Sequence, residues 1–176
     1  MSGPDSLKEV YTDELKDLWS ANDQMAKAIK AMAEEANDPK LKQTFEASIT
    51  GIDKHSDTLK ALLKEADAEV EKEHCKGMEG LVKEALKHSI KKSSKNSDLQ
   101  DLVMVAQYQR MSHYGITSFG TATAYATALG LDKHVAKLRE IVSEIYQADE
   151  YATKLAEKAA KVAPKKKKTA SKKDDD

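Results

Sequence analysis

Apolar residues recur every three to four positions in four long stretches of this chain, the spacing of helices that each bury one face. The first stretch predicts a helix from Asp5 or Ser6 to about Ala36, its stripe passing through Leu7, Tyr11, Leu18, Met25, Ile29 and Met32. Asn37-Asp38-Pro39 ends it and starts a second, with Asp38 as N-cap and Pro39 in the first turn. That second helix runs to about Ala68, with Leu41, Phe45, Ile52, Leu59, Leu62 and Ala66 inward. A third covers about Asp98 to Leu129, its stripe drawn through Leu99, Leu102, Ala106, Ile116, Gly120 and Ala124. Gly130 then serves as a C′ residue and Asp132 as a cap for the fourth, about Asp132 to Val162. Val135, Leu138, Val142, Ile145, Ala152, Leu155 and Ala159 face inward there. Residues 69–96 form a connection with a short helix inside it, anchored by Cys75, Met78, Leu81 and Val82, and end in a polar loop with a cap at Ser97 or Asp98. So long a connection spans a bundle end to end and makes helices two and three parallel neighbours. The fold class expected is all-α: a four-helix bundle with a long crossover between helices 2 and 3 containing a short helix.

Each stripe is broken near its middle by a polar residue: Asn22, His55, His113 and Asp149. Counting residues from the two tight turns puts the members of each hairpin within about a turn of one another. If the hairpins pair along their length, all four positions share one buried layer, where polar groups are costly unless they are partnered. Three readings of that layer stand open. It can be a self-satisfied hydrogen-bonded layer that fixes helix register. It can be a mononuclear metal site in which His55, His113 and Asp149 hold one iron or manganese ion. Or it can border a small-ligand pocket. A paired-metal centre would need more carboxylates than the layer offers. Gly51, in mid-helix one turn before His55, signals either close packing or open space.

Composition narrows the field. Charged residues make up 34% of the 176 and aromatics only 5%, which suits packed helices and not a sheet. No apolar run approaches a membrane span, and no basic-then-hydrophobic leader pattern opens the sequence, so a cytoplasmic protein without membrane contact is expected. A single cysteine, Cys75, excludes an internal disulfide framework. The net charge of −1 conceals a basic stretch at 161–176, with seven Lys against three Asp, on an otherwise acidic chain. Residues 164–176 are expected to be a disordered Lys-rich tail and 1–163 the folded domain. Contact of Lys165–Lys168 with nucleic acid would be weak and salt-dependent. His88 and His134, flanked by lysines, are expected at the surface. Trp19 and Tyr146 read as packing or dimer contacts.

Several segments, in order and spacing, resemble the YciE/YciF-like bacterial stress-response family of the ferritin-like superfamily. They are Tyr11-Thr12-Asp13-Glu14-Leu15-Lys16-Asp17-Leu18-Trp19, Cys75-Lys76-Gly77-Met78-Glu79-Gly80-Leu81, Ala106-Gln107, His113-Tyr114, Phe119-Gly120-Thr121, Ala128-Leu129-Gly130 and Ala148-Asp149-Glu150. The resemblance covers roughly Leu7 to Ala159 and implies a ferritin-like four-helix bundle and a homodimer. It also implies metal-binding glutamates, and this chain departs from the pattern at those positions. Asn22 stands in helix one and Gly51 in helix two; Ser112 and Gly115 flank His113-Tyr114; Ile145 ends what would be a Glu-Glu pair. His55 and Asp149 keep the family's residues.

Two functions follow as expectations. One is a metal-free ferritin-like, stress-related structural or binding protein without a cofactor. The other is a small-molecule binder or enzyme using the vacated centre. Its pocket would be bordered by Asn22, Gly51, Ser112, Gly115, Ile145 and Asp149, with His55 and His113 as acid–base groups. A mononuclear-metal oxidase or peroxidase remnant is a further alternative to these two.

Overall fold

The computed structural model describes residues 3–91 and 95–162; the Lys-rich segment 164–176 and its lysines 165–168 lie outside the described residues. Among the described residues the secondary structure is helical throughout: α1 (Leu7–Glu35), α2 (Pro39–Glu65), α3 (Lys76–Leu86) running into a π-helical turn (Lys87–Lys91), α4 (Ser97–Ala128) and α5 (Asp132–Val162).

The helix boundaries follow from local chemistry. Ser6 caps α1 by accepting from the Glu9 amide. Asp38 caps α2 by accepting from the Lys40 and Leu41 amides, and Pro39 occupies the first turn, where its missing N–H costs nothing. The second helix stops three residues short of Ala68 because Asp67 takes the left-handed conformation (φ 54°), which lets the Ala68 amide reach back to Leu63 O at 3.0 Å. Asn96, one residue earlier than the expected caps, closes the start of α4 on the Leu99 amide. Gly130 adopts φ 70° after α4, and the Leu131 amide returns to Ala126 O at 2.9 Å. Asp132 stands inside the first turn of α5.

α1 and α2 form one antiparallel hairpin, α4 and α5 the other, and the hairpins meet along α1/α4 and α2/α5. Helices α2 and α4 run parallel, as the long connection requires. They lie across the bundle from each other, however, and touch through side chains such as Phe45 and Tyr108 (ring centroids 5.5 Å apart). Because α3 packs on α1 and α4, it covers one seam of the bundle and leaves the α2/α5 seam bare.

The hydrophobic interior is in two parts. Toward the α1–α2 turn, Met25, Ile29, Met32, Leu41, Phe45, Ile52, Met104 and Met111 pack together. Toward the α4–α5 turn, Tyr11, Leu15, Leu18, Leu59, Leu62, Phe119, Ala126 and Leu138 do the same. The boundary between them falls between Leu18 and Ala21, Ile52 and Leu59, Met111 and Phe119, and Ile141 and Ala152. The buried polar residues Asn22, His55 and Ser112 lie at or beside that boundary.

Two polar networks pin the ends. Asp101 of α4 is buried and accepts from the Asn37 amide (3.0 Å), the Asn37 side chain (3.2 Å) and the Asp38 amide (2.7 Å), tying the α1–α2 turn to α4. At the other end His134 is 5% exposed, which corrects its expected surface position. Flanking lysines are a poor guide because neighbours on a helix point about 100° apart. Tyr11 OH meets His134 Nδ1 at 2.9 Å, and Nε2 faces Glu65 at 3.2 Å. Burial holds the His134 ring below its ordinary pKa, so it is neutral, accepting from Tyr11 and donating to Glu65.

Burial, with the Glu65 carboxylate adding to it, raises the Tyr11 pKa. Burial together with Cys75 and Asp17 does the same at Tyr114, whose hydroxyl donates to Asp17 at 3.0 Å and lies 3.0 Å from the Cys75 thiol. In the unfolded chain these phenols ionise near pH 10, as tyrosine does at about that value in peptides. The folded state keeps their protons longer, so their contribution is complete below that pH and is lost as pH rises above it. Urea midpoints measured from pH 8 to 11 are expected to fall above pH 10, less steeply in Tyr114→Phe.

Candidate functional site

At the boundary between the two apolar clusters lies a cavity of about 500 Å³ that opens on the α2/α5 seam. Its inner wall is Asn22 and Met25 of α1 with Tyr108, Ser112 and Gly115 of α4. Its mouth is Ser48, Gly51, Ile52 and His55 of α2 facing Glu144, Ile145, Ala148 and Tyr151 of α5. Nothing lies within 4 Å of a Cβ built on Gly51, and one on Gly115 meets only Ile145 Cδ1, at 3.5 Å. The mid-helix glycine therefore contributes open space rather than close packing. Gly51→Ala is expected to raise stability by about 1 kcal/mol through helix propensity alone, read as a higher urea midpoint.

Polar atoms are few and unevenly satisfied. The Ser48 and Tyr108 hydroxyls bond to each other at 2.8 Å. Burial raises the Tyr108 pKa against the lowering effect of Ser48 and Ser112, so its phenol stays protonated at neutral pH. His55 Nε2 meets Glu144 Oε2 at 2.7 Å at the mouth, the imidazole 9% exposed and the carboxylate 55%. On its inner side the His55 ring packs edge-on against Phe119, centroids 6.0 Å apart. Asn22 Nδ2 and Ser112 Oγ, on residues 6% and 2% exposed, make no hydrogen bond of normal geometry. Ser112 is nonetheless close enough to Tyr108 to influence its titration.

Of the residues singled out from sequence, Asn22, Gly51, His55, Ser112, Gly115 and Ile145 all line this cavity. His113 and Asp149 do not. The His113 side chain is 58% exposed and pairs with Asp149 Oδ2 at 3.0 Å on the outer face, where Gln109 Nε2 also donates to Asp149 Oδ1 at 3.0 Å. The expected four-residue buried layer is thus corrected to one without His113 and Asp149, and the proposed pairing of His55 with His113 as acid–base groups is not formed. The cause is the rotation of α4. Apolar residues lie on nearly all its sides, so the stripe drawn through Leu99, Ala106 and Gly120 is out of phase with the buried one through Met104, Tyr108, Met111, Ser112 and Phe119. His113 follows Tyr108 by five residues, about 140° round the helix.

Nor do His55, His113 and Asp149 converge on a metal: among the described residues no three of His, Cys, Asp and Glu form a set that could hold one. Within the cavity a single imidazole–carboxylate pair, His55–Glu144, is the whole ligand supply, and the positions where the resemblance implies glutamates carry an amide, a hydroxyl, an alkyl group and two glycines. Two hard cations need several bridging carboxylates, so this residue set does not fit a ferritin-type metal pair.

Tyr108, Ser48, Glu144 and Tyr151 were missed from sequence. Tyr108 was findable, since it precedes Ser112 by one helical turn. Glu144 adjoins Ile145, but its partnership with His55 depends on the mutual register of two hairpins, which no sequence spacing reports.

A domain-of-unknown-function family model, DUF892, matches residues 6–164, which span all four bundle helices and the crossover. The chain belongs to this family. The protein YciF of Escherichia coli K12 is 28% identical over 152 residues, covering 86% of this chain and 90% of that one. The crystal structure of the E. coli stress protein YciF superposes with a TM-score of 0.85 at 26% identity, covering 90% of this chain and 99% of that one. YcfI from Rhodopseudomonas palustris matches at a TM-score of 0.81 and 25% identity over 87% and 98% of the two chains. The family and these structures establish the helical-bundle architecture in the residues that form the cavity's four walls. Among the described residues no helix is long and apolar enough to cross a membrane.

Proposed function

We propose that this protein is a metal-free, stress-related member of its family that binds a small molecule in the centre of its bundle. The observation that carries this reading is the cavity at the positions where the family resemblance implies carboxylates, closed at the back by α1 and α4 and open along α2/α5. Its volume lies in the range of small-molecule sites, and its walls are mostly apolar with a few convergent polar groups. The stress association comes from the relationship to E. coli YciF.

Two measurements test it. Elemental analysis of protein purified from iron- and manganese-supplemented medium is expected to find far less than one metal per chain; stoichiometric metal overturns the metal-free reading. The neutral fluorophore N-phenyl-1-naphthylamine is expected to bind with enhanced emission, and Gly51→Phe, which projects a ring into the open space, is expected to abolish it. Equal binding by the two proteins overturns the cavity as the site.

A further inference from the structure

We infer that the cavity takes hydrophobic amines, with the apolar body lying in the slot between α2 and α5 and the ammonium held on Glu144 at its mouth. This rests on the small-molecule reading above and adds the chemical class of the ligand.

The slot is apolar along its length and charged at one end. Because α2 and α5 are antiparallel, His55 stands opposite Glu144 at that end. Tyr151 lies two helical turns further along the same face of α5, roughly 10 Å away. Between the two ends the walls are Gly51, Ile52, Ile145 and Ala148, with Met25 behind them. Such walls gain from covering an apolar body.

The charged end sets the head group. Among the described lining residues there is no Lys, Arg or Asp, and Glu144 is the one carboxylate. His55 Nε2 occupies its Oε2 at 2.7 Å; its Oε1 has no partner among the described residues, and the carboxylate is half-exposed. With a neutral imidazole donating Nε2–H, the pair keeps one negative charge and His55 holds the carboxylate in place. An ammonium on Oε1 then completes the pair through a charge-assisted hydrogen bond.

The surroundings favour the same sign. His55 and Glu144 also border a second, polar hollow on the seam, with Lys54, Lys137, Asp57 and Glu140 around it. Lys137 is tied to Glu65 and Asp57 to Lys60, each at 2.8 Å, which leaves Lys54 against Glu140 and Glu144. The mouth is thus net negative from both sides. An anionic ligand would lose its hydration and meet no lining cation. A neutral one gains from the walls alone.

Competition against N-phenyl-1-naphthylamine on the full chain at neutral pH tests this. Naphthalen-2-ylmethylammonium is expected to compete at least about fivefold more tightly than naphthalen-2-ylmethanol, the gain from one charge-assisted hydrogen bond at a half-exposed carboxylate. Naphthalene-2-carboxylate is expected to compete more weakly than the alcohol. In Glu144→Gln the amine and the alcohol are expected to agree within about twofold, with affinity for the neutral probe unchanged. Glu150→Gln removes the same charge from α5 outside the cavity, and is expected to keep the full preference. Circular dichroism establishes that each variant is folded. Equal competition by amine and alcohol, a preference that survives Glu144→Gln or is lost equally in Glu150→Gln, or tighter binding of the carboxylate overturns the inference. In those cases probe binding that Gly51→Phe removes leaves the cavity reading standing. If the probe does not bind, or Gly51→Phe leaves its binding intact, the cavity reading falls and this inference with it.

Discussion

Asp101→Ala is expected to lower the unfolding free energy by about 3 kcal/mol, the largest single loss anticipated outside the apolar core. The Asp101 carboxylate comes from α4 yet serves the α1–α2 turn, where it takes up the amides of Asn37 and Asp38 and the Asn37 side chain. Truncation removes one buried anion and strands two backbone donors at a helix junction, and each stranded donor costs on the order of 1 kcal/mol or more. Asp101→Asn is expected to recover little: its single oxygen can satisfy one amide, while its NH₂ faces the other donor. Urea unfolding is the measurement, with an unchanged slope and a lower midpoint. Asp98→Ala, at a half-buried carboxylate in the first turn of the same helix, serves as the comparison and is expected to cost less than about 1 kcal/mol. If Asp101→Ala and Asp98→Ala shift the midpoint equally, the turn does not depend on this carboxylate.

The second large effect has the opposite sign. Asn22→Leu is expected to stabilise the ligand-free protein by about 1–2 kcal/mol, because an unpaired buried amide is replaced by an alkyl group of similar size beside Met25. Most substitutions in a packed interior destabilise, so a gain at a position this deep would mark Asn22 as a residue kept at a cost in stability. A loss of more than about 1 kcal/mol would show that the amide is satisfied in solution and contributes to the fold.

How much of this was legible in the chain differs helix by helix. In α2 every expected inward residue, from Leu41 through Phe45, Ile52, Leu59 and Leu62 to Ala66 just past its end, is buried, since a strongly one-sided helix can pack in only one rotation. In α4 four polar residues (Gln100, Asp101, Gln107 and Ser112) are buried, while Leu99 is 43% exposed. Tertiary partners such as the Asn37 and Asp38 amides set that rotation, and they lie some sixty residues away in sequence. His113 was misplaced for this reason, and His134 because its acceptor role toward Tyr11 is equally remote. The cavity positions were reached through the family resemblance. Periodicity marks which side of a helix is inside but not whether the inside is filled. Gly51 alone gave a local sign, a residue too small and too costly for mid-helix unless the space beside it matters.

The one-sided placement of α3 gives the bundle the mechanics of a bound book. Its spine is α1 and α4, held by the Tyr114–Asp17 hydrogen bond and clasped by the crossover helix, whose Gly77 lies so close to Tyr114 that a Cβ there would come within 2.9 Å of the ring. Its fore-edge is α2 and α5, with little between them but the His55–Glu144 pair at the level of the cavity. Swinging the two leaves apart would spare the spine and would break the Ser48–Tyr108 hydrogen bond and the His55–Glu144 pair. The way in lies along this fore-edge, where the cavity already opens, and not through the clasped spine.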